Sequence, residues 1–87
     1  MPIPEIDPLT LAQQLSGPPG SRPVLLDVRF PEELEALRGR PIVVYCHHGV
    51  RSLDATAYLL SRGLDAVSLR GGIDLYSRAV DPSLPRY

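Results

Sequence analysis

The chain has 87 residues, of which 44% are hydrophobic and 22% are charged, and its formal net charge is −1. This length has room for one hydrophobic core, so we predict a single domain over residues 1–87. The balanced charge offers no basic surface for nucleic acid and no attraction to an anionic membrane. No apolar run reaches the ~18 residues of a spanning helix, and the first residues lack a signal-peptide pattern, so we expect a cytoplasmic protein.

The first half of the chain predicts a helix, a buried strand and a second, shorter helix. Asp7-Pro8 predicts a helix start, because aspartate caps free N–H groups and proline suits the first helical position. The apolar run over residues 24–28 predicts a strand that is buried on both faces. Proline followed by acidic residues predicts a short helix over residues 31–37.

The second half continues the alternation of strands and helices. Residues 42–45 and 66–69 predict two more buried strands, and a last helix is predicted over residues 73–79. Between them, Leu53, Ala57 and Leu60 share one face of a helix that begins near Arg51. Apolar strands that alternate with helices indicate a parallel sheet covered by helices on both sides.

The only cysteine, Cys46, follows the strand over residues 42–45, at the edge where ligands bind in such sheets. Four residues separate it from Arg51, so a curled loop would point its N–H groups inward as an anion-binding nest. Gly49 tolerates the positive φ that such a curl requires, and Ser52 is a candidate cap for the next helix. A thiol beside a helix N-terminus is favoured as the thiolate, so we predict a nucleophile.

Three segments resemble rhodanese-type sulfurtransferases: Cys46-x-x-Gly49-x-Arg51-Ser52, Leu26-Asp27-Val28-Arg29 and Leu69-Arg70-Gly71-Gly72-Ile73. The resemblance implies a small three-layer α/β fold with a parallel sheet of about four strands. It also implies that an exposed Cys46 takes a sulfane sulfur from a donor such as thiosulfate and passes the resulting persulfide sulfur to cyanide, a thiol or a carrier protein. The loop residues that the resemblance places around the substrate are His47, His48, Gly49, Val50, Arg51 and Ser52.

Other readings of the same residues stay open. Asp27 and Arg29 are interpreted as supports near the site, because such pairs at strand ends often fix loops by charge-assisted hydrogen bonds. A metal site at Cys46, His47 and His48 is disfavoured because three adjacent residues rarely converge on one ion, so we expect neither metal nor cofactor. Phosphatases and arsenate reductases also pair a loop cysteine with an arginine, but they place five residues between the two.

The connection between Arg29 and Ile42 is shorter than the family pattern, which has an additional strand there. Residues 30–41 suffice for a parallel crossover but leave no room for that strand, so we expect a sheet that lacks one edge strand. The strand over residues 25–28 should then lie at the edge, where apolar strands pair with other chains. This predicts either a homodimer through the edge or, as an alternative function, a catalytically weak protein-binding module.

Overall fold

The structure is a computed structural model that describes residues 3–28 and 37–83. The elements in chain order are β1 (Glu5–Ile6), α1 (Pro8–Leu15), a 3₁₀ turn (Pro19–Ser21), β2 (Val24–Asp27), β3 (Ile42–Tyr45), α2 (Arg51–Ser61), β4 (Ala66–Leu69) and α3 (Gly72–Ala79). Arg29 and nearly all of the helix predicted over residues 31–37 lie outside the described residues. None of the helices in the described ranges is long and apolar enough to cross a membrane.

The four strands form one parallel sheet in the order β1-β4-β3-β2. β3 and β4 have the predicted bounds, and β2 is one residue shorter than predicted. β1 is a strand of two residues that the hydrophobic pattern does not reveal. It exists because the backbone of β4 pairs with it, with Ser68 donating to the Pro4 carbonyl at 2.9 Å and Arg70 to the Ile6 carbonyl at 2.9 Å.

Side chains of β3 point alternately to the two faces of the sheet, and each face carries its own core. Ile42 and Val44 pack with Leu59 of α2, whereas Val43 packs with Leu11 of α1. Tyr76 of α3 joins the second cluster. The sheet therefore lies between α2 on one side and α1 with α3 on the other, which confirms the three-layer α/β prediction.

α1 and α2 differ in how well the sequence predicted them. In α1 the Asp7 carboxylate accepts a hydrogen bond from the Thr10 backbone N–H at 2.7 Å, as expected of a cap. In α2 the predicted face was wrong: the helix buries Ser52, Thr56 and Leu59, and Leu60 remains 37% exposed. The helix is turned this way because Ser52 is held against the cysteine and against β4.

β2 lies at the edge of the sheet, as predicted, and within the described residues its only strand neighbour is β3. Leu25 of this strand is 47% exposed. It opens onto an apolar groove of about 310 Å³, here called the edge groove, on the side of the sheet that carries α1 and α3. The groove is lined by Leu11, Leu15, Leu25, Tyr45, Leu69, Ile73, Tyr76 and Asp81.

Candidate active site

Cys46 is the first residue after β3, in the loop that leads into α2. The expected exposed thiol is not found, because Cys46 is only 3% exposed. The loop and the first turn of α2 curl around the sulfur and cover it. The site therefore holds a single thiol inside a ring of backbone rather than on an open surface.

Backbone N–H groups point at the Cys46 sulfur, as the nest prediction required. Gly49 donates to Sγ at 3.1 Å, and Ser52 donates to it at 3.4 Å. Burial is the largest influence on the pKa of the thiol and raises it. Hydrogen bonds from the Ser52 hydroxyl and from the backbone of Ser52, Gly49 and Arg51 outweigh burial, so the pKa lies below that of a free cysteine.

Gly49 is required at its position for two independent reasons. Its φ is +86°, as predicted, and this left-handed conformation is strained for any residue with a side chain. It is also buried, and a Cβ there would lie 2.8 Å from the Gly71 nitrogen and 3.1 Å from the Leu69 carbonyl oxygen. The loop can therefore bring the Gly49 N–H to the sulfur only while it lies against the turn that follows β4.

That turn, Gly71-Gly72, holds the other side of the cysteine loop. The first N–H groups of α3 have no partner within the helix. Ile73 donates instead to the Cys46 carbonyl at 2.8 Å, and Asp74 donates to the His47 carbonyl at 3.0 Å. A Cβ on Gly72 would collide with both of these carbonyl groups. Because Gly49 and Gly72 lack side chains, the start of α3 can approach the loop closely enough to hydrogen-bond the backbone of Cys46 and His47.

The predicted loop residues divide into a buried ring and an exposed rim. Gly49 and Ser52 are buried beside the sulfur, whereas His48, Val50 and Arg51 are exposed. His47 is half-buried, and its ring centroid lies 4.1 Å from that of His48. Within residues 3–28 and 37–83, no group of three or more histidine, cysteine or acidic side chains is placed to hold a metal ion.

Ser52 has a different role from the predicted helix cap. α2 begins at Arg51 with Val50 as its cap residue, and the Val50 side chain makes no capping hydrogen bond. Instead the Ser52 hydroxyl lies 3.6 Å from Cys46 Sγ and 2.6 Å from the Ser68 hydroxyl of β4. Ser52 points inward because both of these partners lie beneath the helix.

Asp27, a predicted support, is buried at the end of β2 and lies opposite Tyr45 in the sheet. Tyr45 directly precedes Cys46, and the next residue of the β2 segment, Val28, donates to the Tyr45 carbonyl at 3.1 Å. The structure therefore places Asp27 beside the base of the loop. The proposed support by Arg29 falls outside the described residues and stays a prediction.

Sequence reasoning overlooked Ser68. It is fully buried in β4 and reaches the site through Ser52. One signal was available: a serine in the middle of an otherwise apolar strand, Ala66-Val67-Ser68-Leu69, must find a polar partner inside the fold. The pattern does not say which partner, because that depends on how α2 packs on the sheet.

The Rhodanese-like domain family model matches residues 18–79, a range that includes the cysteine loop and the glycine turn. The chain belongs to this family. The curated relatives include a sulfurtransferase of Allochromatium vinosum, 44% identical over 51% of this chain and 42% of that protein. A thiosulfate sulfurtransferase GlpE of Vibrio cholerae is 38% identical over 60% of this chain and 48% of that protein.

A tRNA uridine(34) hydroxylase of Nitrobacter winogradskyi is also similar, 40% identical over 64% of this chain and 22% of the hydroxylase. The rhodanese-like chain thus matches less than half the length of each of these three relatives. Among solved structures, a rhodanese-related protein of Thermoplasma volcanium has a TM-score of 0.68 and 23% identity. The match covers 94% of this chain and 95% of that one, so it supports the rhodanese-like fold over nearly the whole chain.

Proposed function

We propose that this protein is a sulfurtransferase that carries sulfur as a persulfide on Cys46. The observation that carries the proposal is the ring of N–H groups around a single buried sulfur, with donors from Gly49 and Ser52 at 3.1 and 3.4 Å. Such a ring stabilises negative charge on sulfur without a metal or cofactor. The names of the two sulfurtransferase relatives support the same class of reaction.

The first half of the proposed reaction is a displacement at the outer sulfur of thiosulfate. The Cys46 thiolate attacks that sulfur, a new S–S bond forms, and the S–S bond of thiosulfate breaks so that sulfite leaves with the electron pair. In the second half, an acceptor such as cyanide attacks the terminal sulfur, a C–S bond forms, and the S–S bond of the persulfide breaks, so that thiocyanate leaves and the electron pair restores the Cys46 thiolate. The covalent intermediate divides the transfer into two easier steps.

The shape of the site supports a small donor or a narrow sulfur-bearing group. Cys46 is 3% exposed, so a bulky donor cannot reach Sγ while the loop keeps this conformation. Arg51 is exposed on the rim, where its positive charge attracts an anionic donor. The same N–H groups that hold Sγ are the donors available for the terminal sulfur of the persulfide.

The central experiment is intact-protein mass spectrometry after treatment with thiosulfate. We expect one added sulfur atom on the wild-type protein and none on Cys46→Ser, together with thiocyanate release when cyanide is added. Loss of the added sulfur on treatment with a thiol reductant should restore the original mass. An accessible Cys46, shown by alkylation of the folded protein, that gains no sulfur would overturn the proposal.

A protein-binding role is a second candidate, favoured by the edge position of β2 and the exposed Leu25 beside the edge groove. An edge strand can accept a strand from a partner, including a sulfur-acceptor protein or a second copy of this chain. The two roles differ in their dependence on Cys46. If Cys46→Ser keeps partner binding but abolishes the cellular role, the pure binding module is excluded.

A further inference from the structure

We propose that Ser68 is a positioning residue for the Cys46 nucleophile: its hydroxyl donates to Ser52 Oγ and so directs the Ser52 hydroxyl hydrogen toward the sulfur. The three side chains come from the residue after β3, from α2 and from β4, and they form a chain of contacts, here called the hydroxyl line, in which Ser52 lies between Cys46 and Ser68. Ser52 Oγ lies 2.6 Å from Ser68 Oγ and 3.6 Å from Cys46 Sγ. The inference rests on the proposed function for its catalytic meaning.

Burial protects the hydrogen bonds of the hydroxyl line from competition by water. Ser52 and Ser68 are both 0% exposed, and Cys46 is 3% exposed, so water does not compete along the line. A separation of 2.6 Å lies at the short end of the range for hydroxyl pairs. A buried hydroxyl left without a partner is costly, so Ser68 is held to Ser52.

The number of hydrogens determines which group donates and which accepts in each hydrogen bond of the hydroxyl line. Each hydroxyl has one hydrogen to donate, so Ser52 cannot donate to Ser68 and to the sulfur at once. When Cys46 is a thiol, its S–H donates to Ser52, and Ser52 donates to Ser68. When the thiol proton passes to solvent, both hydroxyl groups reverse, so that Ser68 donates to Ser52 and Ser52 donates to the thiolate.

The reversed line strengthens the contact that the thiolate needs. A hydroxyl that accepts one hydrogen bond becomes a better donor of the next, by roughly 10–30% per bond. Ser68 therefore favours the charged sulfur without touching it, whether the charge lies on Sγ or spreads over a persulfide. The backbone donors from Gly49 and Ser52 are fixed, and this hydroxyl pair is the part of the site that responds to the protonation state.

Thr56 provides a matched control within the same helix. It lies one turn beyond Ser52 on the buried face of α2, and it is also 0% exposed. Its hydroxyl has no hydrogen-bond partner within the described part of the chain. Thr56→Val therefore removes a buried hydroxyl of similar depth that is outside the line, and it should leave the Cys46 titration unchanged.

The experiment follows ultraviolet absorbance of the thiolate against pH. The chain has one cysteine and four tyrosines, so subtracting the Cys46→Ser profile isolates the thiol. Ser68→Ala should reduce the thiolate fraction near neutral pH roughly twofold, and Ser52→Ala about tenfold. Ser68→Ala should add nothing in the Ser52→Ala background, because Ser68 acts through Ser52.

The surrounding charges are the same in all of these variants. The titratable and charged groups on β2, β3, α2, α3 and the loops that join them to the site are the same throughout: Asp27, Tyr45, His47, His48, Arg51, Asp54, Tyr58, Arg70, Asp74, Tyr76 and Arg78. Any change between variants therefore comes from the hydroxyl line. Ser68→Thr and Ser68→Val have the same shape and differ in the hydroxyl, so they supply a second comparison if Ser68→Ala fails to fold.

The outcomes separate this inference from the proposed function. The inference is overturned if Ser68→Ala or Ser68→Val titrates like the wild type, or if Ser68→Ala still shifts the titration when Ser52 is alanine. If wild-type Cys46 gains no sulfur from thiosulfate while Ser68→Ala shifts the titration as expected, the proposed function fails and the positioning role stands. Thermal unfolding of each variant checks that the fold is intact.

Discussion

The cysteine loop and the β2 edge are built in opposite ways. The loop is held from two sides: N–H groups of the loop and of the start of α2 donate to the Cys46 sulfur, and the start of α3 donates to the Cys46 and His47 carbonyl groups. At β2, in contrast, Leu25 is 47% exposed beside an apolar groove, with one neighbouring strand in the described residues. Directional hydrogen bonds thus define the position of the cysteine loop, whereas the surface beside β2 is formed mainly by apolar side chains.

The largest effect is expected from adding a methyl group where the loop and the α3 turn meet. Gly72→Ala should lower the free energy of unfolding by about 3 kcal/mol, because Gly72 has a φ of +66° and its Cβ would collide with loop carbonyl groups. Urea unfolding measures the change. Gly63→Ala is the control: Gly63 has a similar φ of +81° but open space around it, so about 1 kcal/mol is expected. Equal losses would show that the loop contact contributes nothing.

A smaller effect is expected from the charge at the rim. Arg51→Gln should raise the apparent KM for thiosulfate roughly twofold to fivefold and leave stability unchanged, because this side chain is exposed. The difference between the two proteins should shrink as salt is added. Steady-state thiocyanate formation at low and high ionic strength measures it. A salt-independent difference would place Arg51 in direct contact with the reacting sulfur instead.

The ionised sulfur should also contribute to stability in a pH-dependent way. The pKa of Cys46 is lower in the folded protein than in a free cysteine, so between these two pKa values the unfolded chain binds more protons. Wild-type stability relative to Cys46→Ser should therefore rise with pH through this window and level off above it. As the pH falls, this contribution is lost across the same window, and it is absent below the folded pKa. Urea unfolding of both proteins across the window tests the sign, and a falling difference would contradict the depressed pKa.

The smallest effect is expected at the β2 edge of the sheet. Leu25→Lys should alter the free energy of unfolding by less than about 0.5 kcal/mol, because the side chain is already half exposed. A charge on an edge strand opposes pairing with another chain, so any concentration-dependent dimer should weaken. Sedimentation analysis measures this, with Leu9→Lys as the control because Leu9 is 63% exposed on α1. If both lysine variants behave alike, the dimer does not use the edge.

The sequence predicted the layout of the fold well because buried strands and capped helices have local signatures. The apolar runs gave β3 and β4 to the residue, and Asp7-Pro8 marked the start of α1. β1 was not predicted, because two residues are too few to show the alternating hydrophobic pattern of a strand. Its pairing with β4 is also a long-range contact. The position of β2 at the edge followed from the family resemblance, because residues 30–41 leave no room for the additional strand of the family pattern.

The site was predicted in part, and the limit has a physical cause. The residues that bend the loop were visible, because a positive φ at Gly49 and a ring of N–H groups follow from local spacing. The burial of Cys46 and the inward turn of Ser52 were not visible. Both depend on how α2 packs over β4, and the pairing of Ser52 with Ser68 joins residues that are 16 positions apart.

Two amide hydrogens of α3, those of Ile73 and Asp74, bond to the cysteine loop and can report when a sulfur donor has access to Cys46. Sγ is nearly closed off from solvent, so a donor that is wider than the gap must wait until the loop lifts away from the Gly71-Gly72 turn. Such a lift breaks the bonds from Ile73 and Asp74 to the loop carbonyl groups. The protection of these two amides against exchange with solvent therefore measures how strongly the closed form of the loop is favoured over the open form that a bulky sulfur donor needs.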